Sequence, residues 1–350
     1  MYDQDGERAI EQALLAAHPD ARPVRFAIPN PGKHELAGGI AVRVETPVPH
    51  WLVVSLGFTE LHEKVEEDPD VSGWGFELTC RLPARSEELD FGWIVSWMQD
   101  IADHIASQVT VLEPYQHMTM WKATSEDEIA AVVFVDDVDL PPTESKFGSF
   151  TFLQMVGLTS GEYEALHSWD AAALCELIRA RDPLFLMDAQ RKSYLRDPSF
   201  ARAVEVGRER DGSSTDLLHG LAILWFDQGG EIHVHLDGAS ARAVQSSVKA
   251  RLSHGKPMTF YGGARKTVRP DGSLALHSQV NIALYPEVGP SEITEVDGRK
   301  IAVIRLDDRA VRELGELLSD EPGTYVLPSL PRVRFVVTTA ERLREPQYPS

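Results

Sequence analysis

The sequence predicts an α+β protein made of two mixed sheet-and-helix domains. Strand-like runs come in blocks instead of alternating regularly with helices, which points away from a doubly wound sheet. A charged stretch ending in a Gly/Ser turn, "RDPSFARAVEVGRERDGSS", divides the blocks, and 350 residues with 43% hydrophobic content suffice for a core on each side. The expected organisation is a first domain at 1–195, a linker at 196–215, a second domain at 216–340 and a tail at 341–350.

In the first half, "GERAIEQALLAAH" reads as an amphipathic helix, because Ile10, Leu14 and Leu15 recur at helical spacing, and Pro19, Pro23, Pro29 and Pro31 then break the chain into loop. "HWLVVSLGF" and "GWGFELTCRL" follow as strands around an acidic, turn-rich connection. From Trp93 to Ser107, Trp93, Trp97, Ile101 and Ile105 stand four apart, as on one helix face. "HMTMW" and "IAAVVFVDD" are the next strands. The uncharged run "FGSFTFLQMVG" (Phe147 to Gly157) reads as an interior strand, with Phe150, Phe152 and Met155 for the core and Gly157 for a tight exit. Gln154 in such a strand needs a buried hydrogen-bond partner. "TSGEYEALHSWDAAALCELIRAR" reads as two helices split near Trp169, with Asp170 as N-cap, and "PLFLMD" as a last strand.

The second half restarts strand alternation in "LAILWF", "EIHVHL" and "SVKARL", and again in "QVNIALYP", "RKIAVIRL" and "RVRFVVTT". One helix, "DDRAVRELGELLSD", interrupts them, its acidic start favourable for the helix dipole.

The formal net charge of −20 and the lack of a long Lys/Arg run exclude nucleic acid as a direct ligand and point to a basic protein partner. No apolar run is long enough to span a membrane, and the N-terminus carries acids where a secretory signal carries bases, so a cytoplasmic location is expected. Cys80 and Cys175, far apart in sequence, read as buried free thiols.

Motifs for common chemistries are absent: no G-x-S-x-G, H-E-x-x-H or C-x-x-C occurs. "YGGARKT" lacks the order that a phosphate loop needs. "HVH" puts His233 and His235 on one strand face, a spacing that can bind zinc, and a metal-assisted hydrolase built on them is the alternative function. "VDDVD" (Val135 to Asp139) offers three carboxylates without the ligand spacing of a calcium loop, and reads as a solvated turn or a partner contact. The expectation is a protein that is not an enzyme and needs no cofactor or metal.

Three long, aromatic-rich strings, "HWLVVSLGFTEL", "SGWGFELTCRL" and "FGSFTFLQMVGLTSGE", occur in the order and at about the spacing of the Suppressor of fused family, which the chain resembles. "PLFLMDAQR" is similar to the family's strand followed by Asp and Arg. "VKARLSHGKPMTFY", "AVIRLDDRAVRELGELL" and "YVLPSLPRVRFVV" look like the C-terminal domain of the animal protein. The resemblance implies an N-terminal and a C-terminal family domain around a cleft. It also implies a non-enzymatic negative regulator that captures a peptide there by strand addition. It places the partner-binding residues at His104, Gln116, His117 and Asp136 in the first half, and at Val248 and Arg251 in the second. Gln116 replaces the family's aspartate and His104 its cleft tyrosine, so the Gli ligand of the animal protein is not expected here. Arginine makes up 25 of the 34 basic residues, a usage of GC-rich bacterial genomes. That favours a toxin domain as partner, with the chain as its immunity protein, over an endogenous regulator.

Overall fold

The computed structural model describes residues 4–27, 36–65, 68–85, 92–108, 111–262, 265–268, 274–277, 281–296 and 298–344. Strands come in blocks in four sheets, as an α+β order requires. The chain divides into two units, 1–163 with 175–201, and 164–174 with 202–350.

The first stretch of chain forms α1 (Asp5–Ala17), β1 (Val24–Phe26), β2 (Gly38–Val44), β3 (His50–Leu56), β4 (Val71–Pro83), α2 (Gly92–Gln108), β5 (His117–Thr119), β6 (Ile129–Asp136), β7 (Thr143–Ser145) and β8 (Gly148–Thr159). Helices α3 (Ser160–Ser168), α4 (Ala171–Arg179) and α5 (Pro198–Asp211) follow. The strands make one sheet in the order β1-β2-β3-β4-β8-β6-β5, with β7 beside β8, and β4 and β8 run parallel. Helix α2 lays Trp97, Met98, Ile101 and Ile105 on one face, against Leu78, Cys80, Phe134 and Met155. On the other face Ile10 and Leu14 of α1 meet Ile40, Val42, Leu52 and Phe152.

A strand between β4 and β6 with helices over both faces cannot carry unpaired charge, which explains why "FGSFTFLQMVG" has none. Its Gln154 is fully buried and has the expected partners: its side-chain oxygen accepts from Arg81 at 2.8 Å, and its amide donates to the Leu184 carbonyl at 2.7 Å. Gly157 plays a different part from the tight exit expected of it, because β8 continues to Thr159. A Cβ at Gly157 would lie 2.4 Å from Met187 Sδ and 2.8 Å from Ile129 Cγ2, so close packing calls for glycine.

"PLFLMD" is not a strand. Phe185 takes a left-handed φ of 51°, and Met187 N donates to the Arg81 carbonyl at 2.7 Å, so the apolar run plugs the core as irregular chain. Asp170 does cap α4, accepting from Ala173 N at 2.9 Å. Residues 196–215, read as a linker, contain α5. Its sequence is polar on three sides, but Phe200 and Val204, one turn apart, are both buried.

Buried Glu77 on β4 has no ion-pair partner among the described residues. Its carboxylate accepts from Gly57 N and Thr59 N at 3.0 Å each, from Thr59 Oγ1 at 2.7 Å and from Ser55 Oγ at 2.5 Å, so it ties the 57–59 loop to the sheet. Burial pushes the carboxyl up to about 6, against these hydrogen bonds, which pull it down. Because the folded value lies above the unfolded one, the stabilising contribution is complete below the unfolded value and is lost as pH rises through about 6. Glu77→Gln should therefore remove about 2 kcal/mol of pH dependence across that window. Urea midpoints of wild type and variant between pH 4.5 and pH 7 check this, and parallel curves would contradict it.

The second unit contains β9 (Leu217–Leu221), β10 (Ile223–Gln228), β11 (Glu231–Asp237), α6 (Gly238–Ala250), β12 (Met258–Gly262), β13 (Arg265–Val268), β14 (Leu274–His277), β15 (Asn281–Tyr285), β16 (Glu292–Val296), β17 (Arg299–Arg305), α7 (Asp308–Leu317), β18 (Gly323–Leu327), β19 (Leu330–Thr338) and α8 (Ala340–Arg344). They form a five-stranded sheet β16-β17-β15-β12-β9, a four-stranded sheet β10-β11-β19-β18 and the hairpin β13-β14. Helices α6 and α7 share one core with both larger sheets, through Val244, Val248, Val311 and Leu314 against Leu236, Phe260, Ile304 and Phe335. Asp307 caps α7 by accepting from Ala310 N at 2.8 Å. "SVKARL" is not a strand but the end of α6, because Ala241, Val244 and Val248 follow helical spacing and are all buried. The "YGGARKT" stretch lies partly outside the described residues, as does the end of the 341–350 tail. Cys80 and Cys175 are both buried, and among the described residues no helix is long and apolar enough to cross a membrane.

Candidate functional site

Strand β5 closes one end of the large sheet and, among the described residues, pairs with β6, His117 opposite Val133 and Thr119 opposite Ala131. Main-chain bonds extend the pairing beyond the strand: Phe134 N donates to Gln116 O at 2.9 Å, and Tyr115 N to Phe134 O at 2.6 Å. Alternation sends Met118 to the α2 side of the sheet, where it packs with the core, and His117 to the opposite side. There His117 Nδ1 lies 3.3 Å from Tyr163 Oη, and the two rings meet edge to face at 5.4 Å. Burial raises the pKa of the Tyr163 hydroxyl against a hydrogen bond with Thr119, so His117 and Thr119 both rest on this tyrosine.

Gln116 is half-buried, and its side-chain oxygen accepts from Glu113 N at 3.3 Å. Asp136 is exposed at the end of β6, on the same sheet end as Gln116. What fixes it is its neighbour. Asp137 accepts from Arg81 at 2.7 and 2.8 Å, from Thr79 Oγ1 at 2.5 Å, and from Asp139 N and Leu140 N at 2.9 and 3.0 Å. "VDDVD" is therefore not simply a solvated turn, since the Asp137 side chain is fully buried.

His104 occupies an exposed position of α2, and its carbonyl accepts from Ser107 Oγ at 2.8 Å. Val248 and Arg251, expected on the partner-binding side, do not present their side chains to solvent. Val248 is 3% exposed inside the second unit's core, because it continues the buried stripe of α6. Arg251 is 9% exposed, with its guanidinium donating to the Ser213 carbonyl at 2.8 Å and to the Pro257 carbonyl.

The structure adds two exposed aromatic residues, Trp121 and Tyr115, that pattern reading missed. Trp93, Trp97 and Trp121 form an edge-to-face ladder with centroids 5.2 and 4.5 Å apart. Its outer member, Trp121, is 38% exposed just past β5, and Tyr115, just before it, is 41% exposed with a left-handed φ of 70°. The signal was the unusual Trp at the end of "HMTMW". Beside this edge the first unit thus offers apolar rings and the exposed carboxylates of Glu113 and Asp136, a set suited to contacts with another chain.

His233 and His235 lie on the outer face of the four-stranded sheet, stacked 6.4 Å apart, with Phe226 edge-on to His235 at 5.3 Å. His233 Nε2 is 3.4 Å from Glu231, whose carboxylate Arg334 holds at 2.6 Å. Among the described residues no group of three His, Cys, Asp or Glu is placed to hold a metal ion.

The family model of the Suppressor of fused protein (SUFU) matches residues 36–192. The human Suppressor of fused homolog is 30% identical over 181 residues, 47% of this chain and 37% of the human protein, and the mouse homolog matches to the same extent. The chain thus spans well under half the length of the curated relatives it matches. The crystal structure of Drosophila Suppressor of Fused superposes with a TM-score of 0.72 at 15% identity, covering 96% of this chain and 97% of that one. A chain of the Sufu-Fu complex crystal structure superposes at a TM-score of 0.50 and 19% identity, covering 60% of this chain and 99% of that one. Residues 36–192 therefore match the Suppressor of fused family, in a chain whose fold is similar to that of Drosophila Suppressor of Fused.

Proposed function

We propose that the chain is a non-enzymatic protein-binding module that takes up an extended segment of a basic partner by strand addition to β5. The observation that carries this reading is the position of β5, the last strand of the sheet, with its far edge open among the described residues. Main-chain hydrogen bonds to that edge supply affinity, while Gln116, His117 and Asp136, with Tyr115 and Trp121, select side chains. His104 belongs to the outer rim of this surface. Val248 and Arg251 contribute through the fold of their own unit. The relative crystallised as a Sufu-Fu complex supports a protein as the partner class. The charge of −20 supports a basic one, and a toxin neutralised in the cytoplasm meets that description best.

The test is affinity capture with the tagged chain from its host cells, followed by hydrogen exchange of the purified complex. Protection of the 117–119 amides on binding, and at least a tenfold weaker affinity for Asp136→Arg, are expected; tenfold corresponds to about 1.4 kcal/mol. A partner that binds Asp136→Arg equally well and leaves those amides unprotected overturns the reading.

A further inference from the structure

The second unit holds two further sheet edges that converge on one groove. Strand β10 is the outermost strand of the four-stranded sheet, and β16 the outermost strand of the five-stranded sheet. Between them lies a groove of about 440 Å³, lined from β10 by Trp225 and Asp227, from β16 by Ile293, Thr294 and Glu295, and from β17 by Lys300.

Strand register says which main-chain groups face it. β10 and β11 are joined by the two-residue turn Gly229-Gly230, both glycines at positive φ, so the closing pair Gln228–Glu231 is hydrogen-bonded. Hydrogen-bonded and non-bonded pairs alternate in an antiparallel ladder. The N–H and C=O of Asp227 and Trp225 therefore point away from β11. By the same count from the closing pair Val296–Arg299, those of Glu295 and Ile293 point away from β17. All four of these residues line the groove, so its walls carry backbone donors and acceptors that no strand pairs with among the described residues, at the two-residue spacing of an extended chain.

The side chains define the occupant. Trp225 and Ile293 are partly buried against the core and form an apolar floor. Asp227 and Glu295 are exposed, and neither has an ion-pair partner among the described residues; Asp227 accepts only from Gly230 N, in its own turn. A second copy of this chain, itself at −20, would bring acid against acid. The geometry points to a second strand-addition site, between β10 and β16, for an extended partner segment that alternates aliphatic residues with Lys or Arg. It uses nothing of β5 and stands or falls separately from that reading.

The probe is a phage-displayed library of random dodecapeptides, panned against the full chain, with the most enriched peptide resynthesised for fluorescence anisotropy. Alternating aliphatic and basic residues are expected in the enriched set. Binding should weaken at least tenfold in Asp227→Lys and in Glu295→Pro, which removes an outward N–H without touching the β17 ladder, and should be unchanged in Asp136→Arg. Unchanged urea midpoints show that the variants are folded. Any of four results overturns the proposal: no enrichment, acidic or patternless peptides, equal binding to both groove variants, or a dimer in sedimentation that Trp225→Asp dissolves.

Discussion

Arg81→Met is expected to destabilise the folded chain by about 3–5 kcal/mol, the cost of leaving one member of a buried ion pair alone. The Arg81 side chain is fully inaccessible and so is that of Asp137. The guanidinium grips Asp137 with both terminal nitrogens, reaches Asp139 at 2.9 Å and donates to Gln154, leaving only Nε without a partner. Methionine fills most of the volume, so the loss is chiefly electrostatic: Asp137 keeps its main-chain and Thr79 donors but faces the core without a counter-charge.

The pH dependence of this variant discriminates further. In the wild type, burial pushes the Asp137 carboxyl up, and Arg81 overcomes that and holds it below the usual carboxylate range. Its contribution is thus present above the unfolded value and lost as pH falls through the depressed folded one. Without Arg81 the burial effect is opposed only by the Thr79 and main-chain hydrogen bonds, so the stability that Asp137 loses on acidification should shrink in the variant. Urea midpoints at pH 4 and pH 7 measure both effects. Arg81→Met with Asp137→Leu should recover most of the loss, because well-packed apolar residues often replace a buried pair at little cost. A single variant within 1 kcal/mol of wild type would show that the clamp contributes little beyond packing.

That clamp marks a limit of what could be read from the chain. The uncharged run at 147–157 reads best as an interior strand, and Gln154 within it announced a buried partner. Nothing local announced that the partner was Arg81, because that contact spans 73 positions and each residue alone resembles a surface one. The same holds for "VDDVD", where three acids within four residues look solvated and one is not. Two short runs read as strands are not strands. "PLFLMD" and "SVKARL" have strand composition, but one is a core plug with a left-handed residue and the other a helix end. Charge hid α5, since only Phe200 and Val204 of its residues 198–211 were available to signal a buried stripe. For the candidate site, His117 and Asp136 fell where the sheet ends. Val248 did not reach a surface, because an apolar residue at helical spacing was already committed to the core.

Glu162→Leu should cost a similar 3–5 kcal/mol and, unlike Arg81→Met, should disturb the β5 edge directly. Glu162 is fully buried in the first turn of α3 and reaches back to Thr159 N at 2.9 Å, the carboxylate half of a capping box. It then does more than cap. The same carboxylate accepts from Tyr194 N at 2.7 Å and Ser193 Oγ at 3.2 Å, and pairs with Arg191, which stacks over Tyr194 at 4.3 Å and also donates to the Gly157 carbonyl. Leucine removes every acceptor at once, leaving Arg191 10% exposed and unpaired. The next residue in the chain is Tyr163, the ring on which His117 rests. A loosened α3 should therefore weaken partner binding at temperatures where the variant is still folded, together with faster hydrogen exchange at 117–119. Asp136→Arg should weaken binding with exchange and urea midpoint unchanged. Glu162→Leu that lowers the midpoint yet binds its partner with wild-type affinity would separate the capping network from the edge, and leave β5 positioned by its pairing with β6 alone.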